Sequence, residues 1–174
     1  MKYFLLLALA FTACTHPTST EHTDTNPWLL VEDPDTGQTG YRDDNGETVI
    51  PTGKYAMCLT DTFRTHAVVL LHNDGKWVVI DRQENVLYEV FPYDNGPDYP
   101  SEGLFRIVQN GKIGYADADT YAVVIEPQFD CAYPFENGKA KVSQQCQTIK
   151  DGEHSVWESD TWQYIDKEGK ISAY

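Results

Sequence analysis

Gln109 to Val142 reads QNGKIGYADADTYAVVIEPQFDCAYPFENGKAKV, and the reading of this stretch decides the fold. Asn110-Gly111 tolerates φ > 0 at both residues, as a tight type I′ hairpin turn requires. A short strand then reaches Tyr115 and Asp117, and an apolar strand ends in Ile125-Glu126-Pro127. Phe135, Gly138 and the alternating Ala140-Lys141-Val142 close the unit.

Relatives of this unit lie on both sides. Asp74-Gly75 and Asp151-Gly152 are the same kind of turn dipeptide, each flanked by apolar or alternating residues. Tyr41-Arg42-Asp43, Val79-Ile80-Asp81 and Tyr164-Ile165-Asp166 match Tyr115-Ala116-Asp117, and their aspartates are spaced 38, 36 and 49 residues apart. A period in the high thirties with one stretched interval marks an internal repeat. The stretched interval lengthens its two arms by six and by eight residues. Even insertions keep every side chain on its face, so 139–166 reads as one long hairpin protruding from the repeat body.

The second halves repeat as well. Unit one offers Val49-Ile50-Pro51, Tyr55, Phe63 and Ala67-Val68-Val69. Unit two departs after Val86-Leu87-Tyr88: Phe91-Pro92-Tyr93-Asp94-Asn95-Gly96-Pro97-Asp98-Tyr99-Pro100 is too rich in Pro and Gly for regular structure and reads as a long loop. Unit four, from Trp162, is short. The expectation is an all-β fold, an antiparallel β-meander of about four hairpin repeats in a curved or propeller-like array.

Gly111-Lys112-Ile113-Gly114-Tyr115-Ala116-Asp117, Glu126-Pro127, Phe129 and Phe135-Glu136-Asn137-Gly138-Lys139-Ala140-Lys141-Val142 resemble the WG (KWG) repeats of bacterial proteins. Gly75 to Asp81 and Trp162 to Lys170 carry parts of the same pattern, and the resemblance extends from about Pro27 onward. No unit keeps an intact Trp-Gly pair. The resemblance implies a binding or scaffolding module and brings no catalytic residues.

The first residues bear on compartment. Lys2 precedes an eight-residue apolar run, Phe4 to Phe11. As a helix it rises only about 12 Å, against a bilayer core of about 30 Å. It reads as a signal peptide. Phe11-Thr12-Ala13-Cys14 resembles the lipobox of bacterial lipoproteins, which implies lipid on Cys14 after cleavage of 1–13. Residues 14–27, rich in Thr and without apolar periodicity, then form a tether, and 28–174 the repeat domain. The same resemblance implies, from the non-acidic Thr15 that follows the cysteine, sorting to the outer membrane of the cell envelope.

The chain has 27 acidic residues against 13 Lys and Arg, a net charge of −14. That disfavours nucleic acid and a polybasic grip on lipid. The repeated aspartates enter turns, where a carboxylate accepts backbone N–H groups. Calcium-loop spacing fails at Gly46 and at Asp33 to Gly37, so no metal and no cofactor are expected.

With Cys14 acylated, Cys58, Cys131 and Cys146 remain. A Cys131–Cys146 bridge closes the shortest loop, and in the chain-entropy model it stabilises by about 3 kcal/mol. A Cys58–Cys131 bridge is the rival. For chemistry, Cys58 with His66 is the one conceivable thiol pair. His72 and His154 sit at hairpin tips, and no nucleophile motif appears, so no enzyme is expected. The binding candidates are Phe91, Tyr93, Asp98 and Tyr99 of the unit-two loop, an amphipathic aromatic patch, and Trp157 midway up the long hairpin. A protein partner is expected, with a glycan as the alternative and a hydrolase as the least favoured reading.

Overall fold

The computed structural model describes residues 26–152 and 154–172. Cys14, Thr15, the signal peptide and all but the end of the tether lie outside the described residues. Eighteen short strands and no helix make up those residues. Unit one contains β1 (Trp28–Glu32), β2 (Thr39–Arg42), β3 (Thr48–Ile50), β4 (Met57–Cys58) and β5 (Thr62–Phe63). Unit two, which as a folded meander takes in the Ala67-Val68-Val69 assigned from sequence to unit one, has β6 (His66–Leu70), β7 (Trp77–Asp81), β8 (Val86–Val90), β9 (Pro92–Tyr93) and β10 (Gly96–Pro97). Unit three has β11 (Leu104–Gln109), β12 (Lys112–Asp117), β13 (Val123–Phe129) and β14 (Cys131–Ala132). The last strands are β15 (Ala140–Ser143), β16 (Gln147–Asp151), β17 (His154–Glu158) and β18 (Gln163–Ile165).

Units two and three are antiparallel meanders joined edge to edge. Ile107 faces Val90 and Val108 faces Glu89, which merges them into a seven-stranded sheet ordered β13-β12-β11-β8-β7-β6-β4. The rest of unit one forms a separate sheet, β3-β2-β1-β5, and β18 of unit four joins β14 and β15 in another, so the hairpins lie in an open array. The cores explain the arrangement, because they form between units. Tyr41, Ile50 and Phe63 pack with Val78 and Ile80 of the next unit, whereas Trp77 and Val79 pack with Phe105 and Ile107 of the one after. Strand β7 is therefore buried on both faces, which its continuous apolar run WVVI allows.

Each repeated aspartate caps its turn. The Oδ1 atoms of Asp43, Asp81, Asp117 and Asp166 each accept two backbone N–H groups, those of residues 45 and 47, 83 and 85, 119 and 120, and 168 and 170. The Thr120 N–H first, then the Thr120 hydroxyl, holds the Asp117 carboxyl below its ordinary value of 3.8. A depressed carboxyl stabilises above its unfolded pKa, and the gain is lost as pH falls through the folded one. Denaturation by acid should therefore weaken the β12–β13 turn below pH 3.8. The slope of stability against pH in that range should be shallower in Asp117→Asn.

The middle strand meets the third through a bulge at the same place in three units: Tyr41/Arg42, Val79/Ile80 and Tyr115/Ala116. A Cβ on Gly40 would lie 2.5 Å from the Ile50 carbonyl oxygen, and one on Gly114 2.4 Å from that of Ile125. These glycines stand three residues before the turn aspartate, with Thr39 and Ile113 before them. In units two and four the same two places hold Trp77-Val78 and Trp162-Gln163. The Trp-Gly pair is thus divided: odd units keep the glycine, where two backbones cross, and even units keep the tryptophan.

Two expectations about the hairpins need correction. Of the three dipeptides Asp74-Gly75, Asn110-Gly111 and Asp151-Gly152, only Asn110-Gly111 supplies both central residues of a two-residue turn, with φ of 53° and 73°. Asp74-Gly75 sits in a longer loop closed by the Leu71 N–H to the Lys76 carbonyl, and Asp151 is the last paired residue of its arm. The stretch 139–166 is likewise two ladders rather than one uninterrupted hairpin. Val142 pairs with Gln163 and Gln147 with Glu158, a single register, but pairing stops between them. There the Ser143 hydroxyl bonds those of Ser159 and Thr161, and Ser159 donates to the Gln145 carbonyl, taking groups that a ladder would use.

Cys146, at this break, is bonded to Cys131 with a Cα separation of 5.9 Å, and Cys58 is free and buried. The disulfide ties the base of the β16–β17 ribbon to β14. A two-stranded ribbon alone is marginal in water. Reduction should therefore speed amide exchange through 147–151 and 154–158 while leaving β11 and β12 protected. Equal exchange with and without a dithiol reductant would refute this tie.

Candidate functional site, an aromatic groove beneath the hairpin

The unit-two loop is pinned at both ends, which is why so many Pro and Gly residues hold one shape. Pro92–Tyr93 and Gly96–Pro97 form a small ladder around Asp94, whose φ is 54°. The Asp98 N–H donates to the Phe91 carbonyl and the Phe91 N–H to that of Arg106. Farther on, the Ser101 hydroxyl donates to the Phe135 carbonyl at 2.6 Å.

Asp98 is not a surface contact. It is 7% exposed and lies against Arg106, itself 3% exposed. Its Oδ2 accepts the Arg106 N–H at 2.8 Å and Nε at 2.9 Å, and its Oδ1 accepts Nη2. Nη1 donates to the Ala132 carbonyl at 3.1 Å, and the guanidinium lies 4.2 Å from the Phe91 ring centre. The expectation of a solvent-facing carboxylate fails because the loop folds Asp98 under itself, onto a cation carried by β11. Its role is to fix the loop.

Trp157 does not point away from the body either. The β16–β17 ribbon folds back so that its indole meets Phe91 at 5.8 Å and Tyr133 at 5.2 Å, both edge to face. Between ribbon and loop lies a groove of about 660 Å³, which Phe91, Tyr93, Asp98, Tyr99 and Trp157 all line. The structure thus gathers five residues spread over the chain into one place. Tyr93 is 53% and Tyr99 70% exposed. Tyr99 and Pro100 form a ridge, and behind it a second slot of about 300 Å³ is walled by Phe105, Tyr121 and Val68.

Arg106, Tyr133 and Pro134 also line the groove and were not singled out from sequence. A charged residue inside the apolar run Leu104-Phe105-Arg106-Ile107 was a legible signal of a buried pair. So was Tyr133-Pro134, which echoes Tyr99-Pro100.

The groove's single carboxylate and its guanidinium are bonded to each other, and no histidine lines it. The thiol pair considered above is apart. Cys58 faces Val69, three residues along β6 from His66, or about 10 Å. Burial pushes the Cys58 thiol up and the His66 imidazole down, so neither carries charge readily. Among the described residues no group of three His, Cys, Asp or Glu is placed to hold a metal. The arrangement suits apolar and hydrogen-bonded contact.

Fold and groove define an all-β array of hairpin repeats bearing a preformed aromatic recess. Within it, residues 114–145 match the family model described as WG containing repeat. The match runs from Gly114, the crossing glycine of β12, through the end of β15. No curated protein and no solved structure matches the chain.

Proposed function

We propose that this chain is a non-enzymatic lipoprotein of the bacterial cell envelope, anchored to the outer membrane through Cys14, that binds or scaffolds a protein partner. The groove between the unit-two loop and the β16–β17 ribbon carries the reading. Five aromatic rings, two of them largely exposed, surround a recess whose one ion pair is internally satisfied. Interface hot spots have this composition, a desolvated aromatic centre with few charges.

One observation favours the glycan alternative: the Tyr99 ring stands exposed with no ring partner among the described residues, as a sugar-stacking platform would. A photoreactive residue in place of Tyr99, activated in intact cells, separates the readings. A discrete cross-linked protein supports the proposal. Cross-linking to polysaccharide alone, or saturable glycan binding lost in Tyr93→Ala or Tyr99→Ala, overturns it. For the anchor, Cys14→Ser should move the chain from the membrane to the soluble fraction; unchanged sedimentation with membranes would refute lipidation.

A further inference from the structure

We infer that the occupant of the groove is a proline-rich segment of the partner, held as a polyproline II helix and flanked by basic residues. This rests on the protein-binding reading and names the partner's chemistry.

The recess is double. Two slots lie either side of the Tyr99-Pro100 ridge, and rings dominate their walls: Phe91, Tyr93, Tyr133 and Trp157 in the first, Phe105 and Tyr121 in the second. Proline-rich segments dock on such aromatic walls, placing successive ring faces in neighbouring slots.

The polar groups agree. The hydroxyls of Tyr93, Tyr99 and Tyr133 and the indole N–H of Trp157 make no hydrogen bond to another described residue, while each guanidinium nitrogen of Arg106 already donates to Asp98 or to the Ala132 carbonyl. What the groove has to offer a ligand is therefore three tyrosine hydroxyls, which donate or accept, and one indole N–H, which only donates. An ordinary extended chain brings one N–H and one C=O per residue, and its N–H groups would have only those three hydroxyls to draw on as acceptors. Proline brings only the carbonyl, and in polyproline II those carbonyls point outward unpaired.

Charge sets the flanks. Inside the groove Arg106 and Asp98 cancel, but the whole chain carries −14. A partner with Lys or Arg beside its prolines is drawn in, and an acidic one is repelled. Both sides are also preorganised. The loop is pinned by Asp98 and Ser101 and the ribbon by the Cys131–Cys146 bond, so little ordering is lost on binding.

The test is calorimetric titration of the full mature chain with two synthetic peptides. One carries a central proline run between arginine pairs; the other replaces the prolines by alanine. The proline peptide should bind saturably and at least about tenfold more tightly than the alanine peptide. Its affinity should fall with rising salt and by about tenfold or more in Tyr99→Ala and in Trp157→Ala. Trp157→Phe, which keeps a ring, should retain most of it. Equal affinity for both peptides, or binding indifferent to Tyr99 and Trp157, overturns the inference. If the proline peptide does not bind while Tyr99 still cross-links a protein, only this inference fails. If neither happens, the protein-binding reading fails with it.

Discussion

Replacing Asp98 by alanine should destabilise the fold by about 3–5 kcal/mol, the usual consequence of stripping one member from a buried ion pair. Arg106 would keep its charge at 3% exposure with only the Ala132 carbonyl and the faces of Phe91 and Tyr93 around it. Its own backbone N–H would lose its acceptor too, since Asp98 Oδ2 holds it at 2.8 Å. The loop carrying Tyr93 and Tyr99 would come loose, so groove binding should fall along with stability. The double variant Asp98→Leu with Arg106→Met removes both charges and should recover much of the loss, because buried pairs are often replaceable by apolar residues. Urea denaturation of the single and double variants checks both statements. A single variant within about 1 kcal/mol of the parent would show that water reaches Arg106.

Glycine replacements should separate into three grades. At Gly114 a Cβ would lie 2.4 Å from the Ile125 carbonyl oxygen and 2.6 Å from the Pro127 nitrogen. Both are backbone atoms within the bulge, so neither strand can yield without breaking the ladder. Gly114→Ala should destabilise by about 3–4 kcal/mol, near the upper end for overpacking. Gly40→Ala should behave alike, for its Cβ meets the Ile50 carbonyl in the same way. At Gly138 there is open space but φ is 78°, so alanine bears only the left-handed strain, about 1 kcal/mol. Gly96 has neither obstacle, and Gly96→Ala should be near neutral. If Gly114→Ala and Gly96→Ala melted alike, the crossing of strands at the divided Trp-Gly pair would be wrong.

Much of the fold was legible because its determinants are local. Asn110-Gly111 carries its own turn preference, and the aspartate at 43, 81, 117 and 166 reaches N–H groups two to four residues away. The even lengthening of the last unit's arms kept one register across 139–166. The break at Ser143 to Cys146 was not legible. It depends on Ser143, Ser159 and Thr161 meeting, and on Cys131 arriving from another strand. Of the candidate site, the aromatic content could be read, but its geometry could not. Asp98 looked like the polar half of a surface patch because the run Leu104-Phe105-Arg106-Ile107 signals a buried cation without revealing that Asp98 is its partner.

The sequence by itself determined the units: their number, the aspartate that caps each turn and the side of each strand that is apolar. Those follow from backbone preferences and from a side-chain period of two, both of which act over a few residues. Only the tertiary structure decided where the units join and what they enclose. Phe91 meeting Trp157, and Asp98 becoming the floor of a groove instead of its rim, are outcomes of burial between hairpins. Burial is settled by which surfaces exclude water together, and residues far apart in the chain share in that choice.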